Sequence, residues 1–151
     1  MIGEVFYFLS AGILGIFLGA QICEGALLVP YWKSMSSEDF FEMHKIYGRK
    51  IYQFFAPLTI AATIIPLITA FYAVSYTLNG YVFSLLMGIF TLFFFFTYFA
   101  YFKQANKRFV EASISYKELP KELNRWGKWH WSRVGLELIA FIFSLVGLIY
   151  I

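Results

Sequence analysis

The segment WGKWHWSRVGLELIAF, Trp126 to Phe141, combines three tryptophans with a histidine, an arginine and a glutamate. Residues separated by four, three and four positions lie on one face of an α-helix. Trp126, His130, Arg133 and Glu137 have this spacing, so we expect one helix to carry them along one stripe. Histidine can accept a proton near neutral pH, and arginine can stabilise a developing oxyanion. The stripe therefore has the residue types that proton-transfer chemistry needs.

Other polar residues lie near the ends of the remaining apolar segments. Glu24 lies inside the first apolar run, His44 and Arg49 precede the second, and Asn106 follows the third. If neighbouring helices alternate in direction, these positions fall in the same half of the bundle as the stripe. We therefore expect them to converge on one polar pocket. The predicted catalytic residues are His130, Arg133, Glu137, Glu24 and His44, and the predicted substrate-binding residues are Trp126, Asn106 and Arg49.

Glu24 and Glu137 need an explanation, because a charged carboxylate inside a membrane span costs at least a few kcal/mol and is normally paired or functional. One interpretation is a buried network of ion pairs with the arginines or histidines that locks the bundle together. The other is a site where His130 or His44 accepts a proton and the arginines orient an anionic or enolate-like oxygen. The sequence leaves both interpretations open.

A bound metal or haem is a further alternative. Two histidines and two glutamates could converge on a mononuclear metal ion, and the ligands would be His44, His130, Glu24 and Glu137. The chain lacks the paired Glu-x-x-His pattern of di-iron bundles. Two histidines on two helices could instead hold a haem b, although the sequence requires no cofactor. The chain has no serine or cysteine nucleophile motif, phosphate loop or dinucleotide fingerprint, so acyl-transfer and nucleotide chemistry are excluded.

The composition is that of a membrane protein. Of the 151 residues, 60% are hydrophobic and only 14% are charged. A helix needs about 20 apolar residues to cross the ~30 Å hydrocarbon layer. Four runs meet this length, at about 5–29, 51–76, 81–102 and 134–151. The predicted fold class is all-α, a single-domain integral membrane bundle of four antiparallel helices.

The basic residues predict how the helices are oriented. All twelve lysines and arginines fall in two segments, four between Lys33 and Lys50 and eight between Lys103 and Arg133. Basic loops stay in the cytoplasm, so both termini are expected on the outer side of a plasma membrane or bacterial inner membrane. The chain has neither a soluble basic face nor a nucleic-acid-binding motif. We expect membrane lipids and a lipophilic small molecule as partners, and no nucleic acid.

Capping residues predict that two helices begin before their apolar runs. Ser36 or Ser37 can cap the second helix, which would start near Glu38. Pro120 is suited to the first position of the fourth helix, which would start near Lys121. Both helices are therefore expected to extend from the membrane into the cytoplasm.

Glycines and prolines mark the remaining features. Gly12, Gly15 and Gly19 form a small-residue face on the first helix, and such faces allow close packing, including contact between two copies of a chain. The first helix is expected to end near Pro30. Asn79-Gly80 is a turn signal and predicts a tight connection between the second and third helices.

These motifs resemble the anthrone oxygenase-like family of four-helix membrane proteins, long catalogued as a domain of unknown function. The last helix carries the resemblance in Trp126-x-x-Trp129-His130-Trp131-x-Arg133. The first two helices are similar in order and spacing through Gly15 to Ala20, Val29-Pro30, Phe40-Phe41-Glu-Met-His44 and Pro57. The family often has Asn-x-Pro-x-Asn at the cytoplasmic end of its third helix. This chain matches only the last position, with Phe102, Gln104 and Asn106 at the three places.

The resemblance implies an integral membrane oxidoreductase that acts on a lipophilic aromatic or quinone-like molecule. Fungal relatives oxidise anthrones to anthraquinones, a reaction that begins with loss of a carbon-bound proton. That step needs a base and a partner for the oxyanion, and His130 and Arg133 suit these roles. The alternative is a small binding or accessory protein without enzymatic activity, in which the polar cluster is structural or binds a metal or haem.

Overall fold

The computed structural model describes residues 2–150, and this part of the chain is helical without strands. It contains four continuous helices that are long and apolar enough to cross a membrane. The first helix is α-helical over Ile2–Cys23 and Val29–Ser34, and the turn Glu24–Leu28 between them is π-helical. The second spans Ser37–Ser75. The third comprises Tyr81–Thr97, a π-helical turn at Tyr98–Phe102, and Lys103–Val110, and the fourth spans Leu119–Leu148.

The predicted starts of the second and fourth helices are confirmed. Ser36 is the N-cap of the second helix, and its side-chain oxygen accepts a hydrogen bond from the Asp39 backbone N–H at 3.1 Å. This bond satisfies one of the donors that have no partner within the helix. The fourth helix begins at Leu119 and has Pro120 in its first turn, where the missing proline N–H is not needed.

Each helix packs against two others, so the bundle is a closed ring. The first and third helices both contact the second and the fourth. Near the start of the first helix, Ser10 Oγ lies 2.7 Å from Thr69 Oγ1 of the second. Ser84 Oγ, near the start of the third helix, donates to Tyr7 Oη at 2.7 Å. A Cβ at Gly147 would lie 2.9 Å from the Tyr7 ring, so glycine lets the end of the fourth helix approach.

The small-residue face of the first helix divides into two parts. Gly15 lies against Phe141 of the fourth helix, and a Cβ at this position would be 3.1 Å from the Phe141 ring. At Gly12 and Gly19, a Cβ would meet no described atom within 4 Å. Gly15 therefore mediates packing within the chain, whereas Gly12 and Gly19 are exposed on the outer surface of the bundle.

The predicted end of the first helix near Pro30 is wrong, because the helix continues to Ser34. Proline has no N–H and its ring clashes with the carbonyl one turn earlier in an α-helix. Here the preceding turn is π-helical, with the Val29 N–H bonded to the Glu24 carbonyl five residues before it. The wider turn lets the helix pass through the proline. The predicted turn at Asn79-Gly80 is confirmed, and Gly80 has a positive φ of 68°.

Candidate functional site

The stripe predicted on the fourth helix is present. Trp126, His130, Arg133 and Glu137 are all buried in the bundle, and His130 and Glu137 have no exposed surface. Their common orientation follows from the helical period. The four residues therefore face the interior from one side of the fourth helix.

A cavity of about 700 Å³ lies between the second and third helices, and residues of the first and fourth helices complete its wall. Much of the wall is aromatic. Six of the predicted site residues line the cavity: Glu24, His44, Arg49, Asn106, Trp126 and Arg133. The cavity therefore brings together residues of all four helices.

His130 and Glu137 are not among the residues that line this cavity, so the prediction that they face it is wrong. The His130 ring stacks on Trp126, with centroids 5.1 Å apart and planes at 11°. On the first helix, a Cβ at Gly25 would lie 2.9 Å from His130 Cδ2. Trp126, which does line the cavity, and the backbone at Gly25 therefore enclose the histidine.

The buried histidine connects the fourth helix to the first. His130 Nε2 lies 2.8 Å from the backbone carbonyl oxygen of Gln21. A carbonyl can only accept, so Nε2 carries a proton and Nδ1 holds a lone pair in the neutral ring. Nδ1 lies 3.7 Å from Glu24 Oε2, which is too long for a hydrogen bond. A small movement of either side chain would allow a proton to pass between them.

Glu24 is the acidic residue that reaches both the cavity and the buried histidine. Its side chain is buried, yet it lines the cavity. It is also the first residue of the π-helical turn in the first helix. Single π-helical turns occur frequently at functional sites. Glu24 is thus positioned to exchange a proton with a molecule in the cavity.

Arg133 is a buried cation in the cavity wall. Its guanidinium carbon lies 5.3 Å from the ring centre of Phe102, 5.6 Å from that of Phe17 and 5.8 Å from that of Phe94. Its best polar contact is a long one of 3.5 Å to Thr59 Oγ1. Within residues 2–150, no ion pair of 4 Å or shorter joins Arg133 to a carboxylate.

The loose contacts of Arg133 bear on the ion-pair interpretation. Among the described residues, neither Glu24 nor Glu137 lies within 4 Å of Arg133 as an ion pair. Both oxygens of Glu137 and the Nε of Arg133 lack a hydrogen-bond partner among the described residues. A locked network requires short, well-oriented bonds to offset desolvation. Arg133, which lines the cavity, instead has no such bond to either carboxylate.

His44 lies in an aromatic part of the cavity wall. Its ring centre is 4.4 Å from that of Phe40, 5.5 Å from Trp32 and 5.7 Å from Phe109. The residues that share its stripe on the second helix, Gly48, Ile51 and Phe55, also line the cavity. His44 thus contributes a polar edge to an otherwise aromatic region.

The arrangement does not support the proposed set of metal ligands. The described residues contain no group of three or more His, Cys, Asp or Glu side chains that could hold a metal ion. His130 is enclosed by Trp126 and Gly25, whereas His44 is surrounded by aromatic rings. These histidines and the two glutamates therefore do not form a common coordination site.

Trp126 is fixed by a hydrogen bond between helices. Its Nε1 donates to Asn106 Oδ1 of the third helix at 2.8 Å. The ring also packs against Trp32 at 5.6 Å and Phe102 at 5.2 Å. Both partners of the hydrogen bond line the cavity. The indole is therefore held rigidly in the cavity wall, with the His130 ring stacked on it.

Sequence reasoning missed both π-helical turns and the role of Gly25. The second turn contributes Tyr98, Phe99 and Phe102 to the cavity wall, so both turns border the same space. Pro30, just after the first turn, was a signal for irregular helix geometry. No comparable signal precedes the second turn. A glycine next to Glu24 could have suggested that another helix approaches closely there.

Comparison with protein-family models, curated proteins and solved structures finds no match to this chain. The resemblance to the anthrone oxygenase-like family therefore remains an expectation from short sequence motifs.

Proposed function

We propose that this chain is an integral membrane oxidoreductase that takes a lipophilic aromatic or quinone-like substrate into the cavity. The observation that carries the proposal is the presence of Glu24 and Arg133, both buried, in the wall of a largely apolar cavity. Sites of this kind combine an apolar lining with a few polar groups that orient the ligand. Buried ionisable residues within membrane helices are also functional more often than not.

In the proposed reaction, Glu24 accepts a proton from an activated carbon of the substrate. Arg133 stabilises the oxygen on which the resulting negative charge develops. For an anthrone, the methylene group loses two hydrogens overall and dioxygen supplies the new carbonyl oxygen, so that anthrone and dioxygen give anthraquinone and water. Trp126 would stack on the rings. His130 acts behind Glu24 as a positioning residue and receives or returns its proton.

The proposal includes an orientation in the membrane. The helices would be antiparallel, with both termini outside and the cavity in the cytoplasmic half of the bundle. Support comes from the basic residues, which all lie between Lys33 and Lys50 or between Lys103 and Arg133. The cavity is lined by Arg49, Lys103 and Lys107 from these segments. The location would be a plasma membrane or bacterial inner membrane.

The test is turnover of an anthrone by the purified protein in lipid nanodiscs under oxygen, followed by the absorbance of anthraquinone. Glu24→Gln should lower turnover by roughly 10²- to 10⁴-fold, the usual contribution of a general base. Glu42→Gln changes an exposed acid outside the cavity and should leave turnover unchanged. Turnover in Glu24→Gln equal to that of the parent would exclude the proposed role. An absorption spectrum and metal analysis of the same sample would show whether a haem or metal takes part.

A second candidate function is that of a binding or accessory protein in which the polar cluster is structural. The contact of His130 with Gln21 favours it, because this bond joins the first and fourth helices. In that case the cavity would bind a ligand without converting it. Binding of an anthrone without any turnover would favour this second candidate.

A further inference from the structure

The opening of the cavity lies on the lateral surface of the bundle. Tyr52 and Ile60 of the second helix are 64% and 55% exposed, and Phe99 of the third is 54% exposed. All three line the cavity. Because exposed apolar residues on membrane-spanning helices contact lipid, a ligand can enter between the second and third helices from the bilayer.

The rim of this opening is basic. Three cations of the second and third helices line the cavity, Arg49, Lys103 and Lys107. The acid Glu111, which directly follows the third helix, also lines it. Lys107 pairs with Glu111 at 3.8 Å. Arg49 and Lys103 form no ion pair of 4 Å or shorter with any described residue. Two cations without acidic partners, one on each helix, therefore flank the same opening.

Beyond the rim, the wall becomes aromatic and aliphatic. Phe55 and Ala56 line it from the second helix, and Phe95 and Phe102 from the third. Cavities of about 300–1,000 Å³ typically hold one small organic ligand, and this one has about 700 Å³. The side chains that line the cavity are thus basic at the rim and apolar further inside, where the cavity ends at Glu24 and Arg133.

We infer that the ligand of this cavity is a lipophilic molecule that carries an acidic group. Its acidic group, a carboxylate or a phosphate, lies between Arg49 and Lys103, and its apolar body extends inward past Phe55 and Phe102. The inference rests on the proposed function and adds to it that the lipophilic substrate carries an acidic group. Its test measures binding alone, so a failure of the proposed reaction can be distinguished from a failure of the inference.

Anions could also be attracted by the basic face of the protein as a whole, and this alternative predicts a different effect of substitutions than a site at the rim does. Lys45 and Lys121 belong to the same basic segments but are exposed and do not line the cavity. A general surface potential would depend on these lysines as much as on Arg49 and Lys103. A site at the rim depends on the rim residues alone, so matched pairs of variants separate the two.

The experiment uses the full chain in nanodiscs of zwitterionic phosphatidylcholine, with dibromostearic acid and its methyl ester as probes. Bromine quenches nearby tryptophan fluorescence, and Trp32 and Trp126 line the cavity. The Kd is obtained from the quenching of tryptophan fluorescence as the brominated probe is added. Specific binding is shown by quenching that saturates and that unbrominated stearate reverses. The acid should bind about tenfold or more tightly than the ester, since each basic residue near a membrane surface attracts an anion several-fold.

Arg49→Gln/Lys103→Gln should weaken binding of the acid by about tenfold or more and leave that of the ester unchanged. Lys45→Gln/Lys121→Gln removes the same charge and should alter neither Kd by more than about twofold. Equal affinities for acid and ester, or equal losses in the two variants, would overturn the inference. Loss of acid binding when phosphatidylglycerol replaces phosphatidylcholine would also overturn the inference, because a bilayer lipid would then occupy the cavity. Acid binding without anthrone turnover would refute only the proposed reaction.

Discussion

Gly25→Ala tests whether the close approach of the first helix to His130 holds the site together. The added Cβ would lie 2.9 Å from His130 Cδ2, 3.0 Å from His130 Nε2 and 3.0 Å from Trp131 Cζ2. His130 is fully buried and stacked on Trp126. It therefore cannot move away without breaking its hydrogen bond to Gln21 or displacing the indole.

The expected magnitude follows from comparison with Gly19→Ala on the same helix. At Gly19, a Cβ meets no described atom within 4 Å. Both substitutions stabilise the helix by a similar amount, about 1 kcal/mol, because alanine has a higher helix propensity than glycine. Their difference is therefore the cost of overpacking at Gly25, about 1–3 kcal/mol. For a chain of this size, each kcal/mol corresponds to about 2–4 °C in Tm.

The assay is thermal unfolding in one detergent, with loss of helical circular dichroism as the signal. Gly25→Ala should unfold about 2–12 °C below Gly19→Ala. In a His130→Ala background, this difference should become smaller, because two of the three close contacts of the added methyl group are with the His130 ring and only the one with Trp131 Cζ2 at 3.0 Å remains. Equal Tm values for the two glycine variants, or a difference unchanged by His130→Ala, would refute the described packing of the first and fourth helices.

Three further predictions follow from the same geometry. Trp126→Phe should lower stability by about 0.5–1.5 kcal/mol through loss of the bond to Asn106, and adding Asn106→Ala should cost little more in denaturant unfolding; additive losses would contradict the bond. If the cluster is structural, His130→Ala should lower Tm and Glu24→Gln should partly restore it, whereas a catalytic cluster predicts that Glu24→Gln alone loses turnover at nearly unchanged Tm. A phosphatase fused to the C-terminus should be active on the outer side of the membrane, and a cytoplasmic signal would exclude the proposed orientation.

The parts of the structure that depend on local periodicity were predictable from the sequence. The spacing of Trp126, His130, Arg133 and Glu137 was enough to place them on the buried face of the fourth helix. Capping chemistry located the start of the second helix, because Ser36 provides an acceptor for the Asp39 N–H. Such features involve residues within one or two helical turns.

Features that depend on contact between distant residues were not predictable in this way. Whether His130 faces the cavity depends on Gly25, more than a hundred residues earlier, and on the ring of Trp126. The spacing of residues on one helix gives the direction of a side chain but not what covers it. For this reason, the sequence placed His130 and Glu137 at the same pocket as Arg133, whereas the structure separates them from the cavity.

This separation changes which residue should be tested as the base. A proton acceptor must approach a substrate proton within hydrogen-bonding distance, and His130 is shielded from the cavity by Trp126. Glu24 lines the cavity and lies 3.7 Å from His130 Nδ1. The histidine can thus support Glu24 only if the first helix keeps its close contact at Gly25. The π-helical turn that begins at Glu24 therefore links the packing of the bundle to the chemistry proposed for the cavity.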